Sequence, residues 1–183
     1  MALDNVLIAE IISILNNGFA TISSLVPTAP IVQQSYQPIQ QGANTAPSLY
    51  LYKIGDTRVG WPSQQMVWNQ EAQIEVLTQL QQYETRFQIS AWATQNPADT
   101  TSLTASDYAN YAVYIMQSMT TVAALEAIGC GIYSVKDVRN PSFMDERDRF
   151  EFSPSFDFVI THKQIITQTT PTITETIIQV LTV

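Results

Sequence analysis

"DVRNPSFMDERDRFEFSPSFDFVITHKQ", residues 137–164, holds ten charged side chains in a chain of 183 residues in which charge is scarce. Beyond Phe150 the stretch alternates, with Phe150, Phe152, Phe156, Phe158 and Ile160 set against polar neighbours. A period of two marks a half-buried strand, so this segment predicts a sheet with a charged loop leading into it. An active site, a nucleic-acid site and a subunit joint would all look like this locally.

Working outward, strands and helices follow in blocks. "CGIYSVKDV" precedes the loop and predicts a further strand. Before it, "TTVAALEAIG" predicts a helix stopping at Gly129. Thr104 with Asp107 three positions on forms a capping box, opening a helix with Tyr108, Tyr111, Ala112, Ile115 and Met119 on one face. The segment 57–94 predicts two or three antiparallel strands. Val59, Trp61, Met66, Val67 and Trp68 fall in the first portion, Ile74, Val76, Leu77 and Leu80 in the second, and Phe87, Ile89, Ala91 and Ala93 in the third. Pro62 breaks the first portion and predicts an edge or a bulge. "SLYLYKI" at 48–54 predicts another strand, with Gly55-Asp56 as its turn.

At the amino-terminal end, Asp4 can cap a helix with Leu7, Ile8, Ile11, Ile12 and Leu15 at helical spacing, ended by Asn16-Asn17-Gly18. The expected organisation is an N-terminal helix at 1–26, a proline-rich extended arm at 27–47 and an α+β domain at 48–183. The fold expected is α+β: a mainly antiparallel sheet with helices packed on one face.

Composition restricts function. Apolar residues make up 45% of the chain and charged residues 13%, with Gln, Thr, Ser and Asn filling the difference. A surface of amides and hydroxyls is buried against a partner without desolvating ions, which favours an assembly subunit. The net charge of −8 disfavours gripping phosphate backbones. The first helix has acids at Asp4 and Glu10, no basic region before it and too few residues to span a bilayer, so no membrane association is expected.

Chemistry is thinly encoded. Six glycines stand singly, without a phosphate-binding loop, and one cysteine, Cys130, suits a small packing residue. The one histidine, His162, sits on an alternating strand with no acid or Cys spacing that makes it a metal ligand or a triad base. No catalytic residue, metal or cofactor is expected. The acids Asp145, Glu146, Asp148, Glu151 and Asp157 could supply paired carboxylates for hydrolysis, but Arg139, Arg147, Arg149 and Lys163 beside them suit ion pairs inside or between subunits. Trp61, Trp68 and Trp92 suit core or interface anchors better than a base-stacking platform, because no basic groove accompanies them.

Certain strings go further. Arg58-Val59-Gly60-Trp61, Phe87-Gln88-Ile89-Ser90-Ala91 and Asp137-Val138-Arg139-Asn140-Pro141 precede Asp148-Arg149-Phe150-Glu151, then Ser153-Pro154-Ser155-Phe156-Asp157-Phe158 and Thr161-His162-Lys163. With these motifs the chain, from about Tyr50 onward, resembles a family of phage neck proteins called tail-terminator or gateway proteins of contractile-tailed viruses. The resemblance implies a tail-terminator-like fold and a hexameric ring at the head-proximal end of the tail. Such a ring halts tail polymerisation and joins the tail to the neck or head–tail connector. The partners implied are five further copies, tail tube and sheath proteins, and collar or connector proteins, with DNA passing through the lumen without specific binding. Within the same resemblance the alternative is a tail-tube-like or tail-completion subunit; the acid cluster offers, more weakly, a carboxylate-dependent hydrolase.

A compact chain of this length is roughly 40 Å across, so six in a ring leave a hole of roughly 40 Å. An acidic lumen would repel DNA. Head-to-tail closure repeats two unlike patches, and the interface residues expected are Arg139, Asn140, Asp145, Glu146, Arg147, Asp148, Arg149, Trp61 and Trp68.

Overall fold

The computed structural model describes residues 4–35, 46–72, 74–94, 98–144 and 150–171. Their order is helix α1 (Asp4–Thr21), strands β1 (Ile31–Gln34), β2 (Ser48–Asn69) and β3 (Ile74–Trp92), helices α2 (Ala105–Met116) and α3 (Met119–Ala127), then β4 (Cys130–Val135), β5 (Ser142–Met144), β6 (Phe150–Phe152) and β7 (Ser155–Pro171). The main sheet has the order β1-β2-β3-β7-β4, and β5 and β6 form a separate two-stranded ribbon. All pairings are antiparallel except β1 with β2. The architecture is α+β.

One face of the sheet makes the core. Leu49 and Leu51 of β2 lie opposite Ala91 and Ile89 of β3, and Ile89 and Phe87 lie opposite Phe156 and Phe158 of β7. These side chains are buried with Leu7, Ile11, Leu15 and Phe19 of α1 and Tyr108, Ala112, Ile115 and Met116 of α2. The Phe87 and Phe158 rings stack with centroids 5.5 Å apart, an arrangement worth about 0.5–1.5 kcal/mol beyond area burial. α1 thus belongs to the same core as the sheet. Within the stretch expected as an arm, Ile31–Gln34 pair in parallel with Ser48–Leu51, while residues 36–45 lie outside the described residues.

Local expectations are met at several points. Thr104 Oγ1 accepts from the Asp107 amide at 3.2 Å, and Asp107 Oδ2 accepts from the Thr104 amide at 2.8 Å, closing the capping box. Gly129 follows α3 with φ of +74°, a left-handed conformation that favours glycine.

Four local expectations are corrected. α1 does not stop at Asn16-Asn17-Gly18 but continues to Thr21, because Phe19 on the next turn is buried in the core. Gly18 is instead the point where α1 meets α2: a Cβ there would stand 2.4 Å from Ile115 Cγ2. Met119 does not extend the apolar face of α2. The chain breaks at Ser118, whose hydroxyl caps α3, and Met119 is left exposed. Gly55-Asp56 is not a turn, since β2 runs on through a bulge between Lys53 and Gly55. Finally, the second and third portions of the region at 57–94 are one strand, β3.

Candidate assembly surface

The sheet outlasts its core. Helices cover only the end bearing Leu49–Leu51, Phe87–Ala91 and Phe156–Ile160. Beyond it, β2, β3 and β7 continue as a three-stranded wing, with every residue of β2 from Arg58 to Asn69 exposed. At about 3.3 Å per residue, the stretch from Asp56 to Asn69 projects roughly 45 Å. One face of the wing carries Arg58, Gln64, Met66 and Trp68, with Leu77, Tyr83 and Ile166 on the neighbouring strands. The other carries Val59, Gln65 and Val67 with Val76, Leu80 and Ile165. Met66 is 65% exposed and Trp68 50%.

Trp61 is the extreme case, 95% exposed. It sits where the β2–β3 register shifts between Val59 and Ser63, with Gly60 at φ +65° and Pro62 next in sequence. That is the bulge that Pro62 predicts. Gln81 Nε2 donates to the Val59 carbonyl at 3.0 Å, which holds the bulge against β3. A bulge re-aims the side chain it carries, and here it presents an indole to solvent on a braced backbone.

Where wing meets body, a polar chain replaces the core. Lys53 Nζ bonds Asp4 Oδ1 and Asp56 Oδ2, each at 2.7 Å. The Thr85 hydroxyl, fully buried, donates to Asp56 Oδ1 at 2.6 Å and lies 2.9 Å from His162 Nε2. A hydroxyl has one proton, so Nε2 must be the protonated nitrogen and donate to Thr85. His162 Nδ1 is then a buried acceptor without a hydrogen-bond partner among the described residues. The imidazole stacks on Tyr83 at 5.7 Å.

Burial lowers the His162 pKa, and Lys53 adds to this against the opposing pull of Asp56 and Asp4. For Lys53, burial alone would lower the pKa, but its bonds to Asp4 and Asp56 outweigh it and hold the ammonium above its usual range. For Asp56, burial alone would raise the pKa, but the bonds from Lys53 and Thr85 hold it below the usual carboxylate range. The assembly couples the start of α1 to all three strands of the wing.

The residues singled out from sequence do not gather at one place. Trp68 lies opposite Glu75 at the wing tip, whereas Arg139 bridges Ser155, which lies opposite Ser90 at the other end of β3. Fifteen strand residues separate the two, about 50 Å. Arg139 Nη2 pairs with Asp157 Oδ1 at 2.8 Å, and Gln88 Nε2 donates to the same oxygen at 3.1 Å. Its charge is therefore met within the chain. Asn140 is exposed beside it. Asp145, Glu146, Arg147, Asp148 and Arg149 lie outside the described residues. Cys130 is buried and desolvation raises its pKa, which suits packing and not attack. Sequence reasoning missed Ile165, Ile166 and the Asp4–Lys53–Asp56–Thr85–His162 chain. A signal for the wing was present: residues 59–69 and 165–171 contain no charged side chain.

Among the described residues, no helix is long and apolar enough to cross a membrane. Among the described residues nothing covers either face of the wing and Trp61 is held out to solvent, the kind of surface that marks an interaction site. Residues 6–172 match the model of a protein family described as E217 gateway protein gp29. The chain belongs to this family of phage gateway proteins, and its role is structural, in joining the phage head to the tail as a component of the virion. Among curated proteins, none matches the chain.

Proposed function

We propose that six copies close into a ring at the head-proximal end of a contractile tail. There the ring ends tail polymerisation and connects tail to neck, while its lumen lets DNA pass. The wing carries this reading: its charge-poor, two-sided surface, with Trp61, Met66 and Trp68 exposed, is uncovered among the described residues, and ring neighbours and adjoining tail or connector rings would supply a cover. The net charge of −8 supports passage of DNA without adhesion. In this arrangement the contacts divide in two. Trp61 and Trp68 anchor the wing in a neighbour, and Arg139, Asn140 and the charged residues 145–149 dock the opposite end. Tube and sheath proteins meet one side of the ring, and collar or connector proteins the other.

Native mass measurement of the purified chain, with a reconstruction of the neck in intact particles, tests this. A closed hexamer at the head–tail junction is expected. A monomer in the virion, or a position away from that junction, overturns it.

A further inference from the structure

The three helices form a groove of their own, apart from the wing. Its two concavities, of about 530 and 500 Å³, share Ile22 and Tyr114 and are lined by no residue of β2, β3 or β7. Gly18 lies against Ile115, and the Tyr108 hydroxyl donates to the Thr28 carbonyl at 3.0 Å, so α2 runs back along the chain that leaves α1. One end of the groove therefore holds Glu10 and the other Asp107, with Leu25, Tyr114 and Met119 exposed along it. From Glu10 to Thr21 the helix alone rises roughly 17 Å, which an incoming helix of about twelve residues would match.

Charge on this layer is of one sign. Residues 4–35 and 98–129, which contain all three helices, include Asp4, Glu10, Asp99, Asp107 and Glu126 and neither Lys nor Arg. A groove that is apolar along its length and acidic at both ends draws cations to those ends and repels DNA and anionic lipid. Its walls are helices, whose backbone groups are already paired, so an extended peptide finds no ladder there. A helix brings its own backbone pairing and needs only an apolar stripe.

We propose that this groove seats an amphipathic helix of another virion protein. The apolar stripe of that helix packs on Ile22, Leu25 and Tyr114, and a Lys or Arg near each of its ends faces Glu10 and Asp107. This chain supplies no such occupant: its three helices carry no base, residues 36–45 and 172–183 contain none, and residues 145–149 hold no apolar side chain. The interface is independent of the ring and of the wing, and it holds an adjoining protein whatever the number of copies.

Two synthetic helical peptides of about fourteen residues test this, sharing a Leu stripe in an Ala background and differing only in bearing Lys or Glu at both ends. Titrated into the purified full-length chain, the Lys peptide should bind saturably and the Glu peptide should not. Tyr114→Ala and Glu10→Lys should each weaken the Lys peptide about threefold to tenfold and leave the native mass of the chain as in wild type. In assembled particles, a benzophenone side chain in place of Tyr114 should cross-link to an apolar, Lys- or Arg-bearing segment of another virion protein. Binding of neither peptide, equal binding of both, or no effect of either substitution overturns the proposal. A cross-link to a second copy of this chain or to DNA, or an altered native mass in Y114A, overturns it as well. The two peptides are compared on the wild-type chain, so that comparison decides even where a variant fails to fold. A wild-type chain that stays monomeric overturns the ring and leaves the groove standing.

Discussion

The hydroxyl of Thr85 lies 2.9 Å from Nε2 of His162, two strand neighbours whose contact marks the line where the buried sheet becomes the exposed wing. On one side of it β3 carries Phe87 and Ile89 into the core; on the other it carries Tyr83 and Gln81 toward solvent. Thr85 is the fully buried member of the chain that runs through Asp56 and Lys53 to Asp4.

Replacing Thr85 with Val keeps the shape and removes the hydroxyl. Asp56 Oδ1 then loses a donor and His162 Nε2–H loses an acceptor. Stranding partly buried polar groups costs about 1–3 kcal/mol. Chemical denaturation of T85V should show a loss of that size, and Thr85→Ser should recover most of it. A T85V variant as stable as wild type would show the chain to be incidental.

Acid should loosen the same junction. His162 has a folded-state pKa below its ordinary value, so on acidification the unfolded chain takes the proton first. Its contribution is whole above about pH 6.5 and is lost as pH falls from there through the lowered folded value. Asp56, also held low, contributes above its usual carboxylate range and loses that contribution at still lower pH, through its own folded value. Lys53, held high, gives the opposite limb: its contribution is lost only as pH rises through its raised folded value. Stability measured across pH 4–8 should therefore fall toward acid, and His162→Gln should flatten the upper part of that fall.

Gly18 should not tolerate a methyl group. Inside a helix Gly→Ala ordinarily gains up to about 1 kcal/mol. Here the new Cβ would meet Ile115 Cγ2 at 2.4 Å, and overpacking of this kind costs about 1–3 kcal/mol. The net expectation is a loss of about 1–2 kcal/mol for G18A. Pairing it with Ile115→Ala removes all three carbons that the new Cβ would meet, so the double variant should be more stable than the sum of the two single effects. Strict additivity would place the strain elsewhere.

Trp61 should matter to assembly and not to folding. At 95% exposure it contributes little to the core, so W61A should change monomer stability by no more than about 0.5 kcal/mol. Sedimentation or native mass should show weaker self-association or weaker binding to neck partners. An unchanged assembly profile would remove Trp61 from the interface.

Legibility tracked burial. Phe87, Ile89, Phe156 and Phe158 alternate because one face of their strands meets the helices, so their strands were readable. The wing was read as broken pieces because Ile74, Val76, Leu77 and Leu80 occupy both faces of a strand that buries neither in the monomer. No inside means no period of two. The end of α1 was misplaced for a related reason, since Asn-Asn-Gly is a local stop signal and Phe19 is a tertiary anchor that overrides it. Of the candidate interface, Trp61 and its bulge were visible through Pro62, whereas for Arg139 the sequence left open an ion pair inside or between subunits, and the fold pairs it with Asp157 within the chain.

By itself the sequence determined the class of fold, the capping box of α2, the glycine that follows α3 and the absence of charge along 59–69 and 165–171. These follow from local periodicity and composition, which act over a few residues. Only the tertiary structure decided that three strands run past their core and that Asp4, Lys53, Asp56, Thr85 and His162 meet. Those depend on register between segments as many as 158 positions apart, the separation of Asp4 from His162, and register is set by the packing of the shared core.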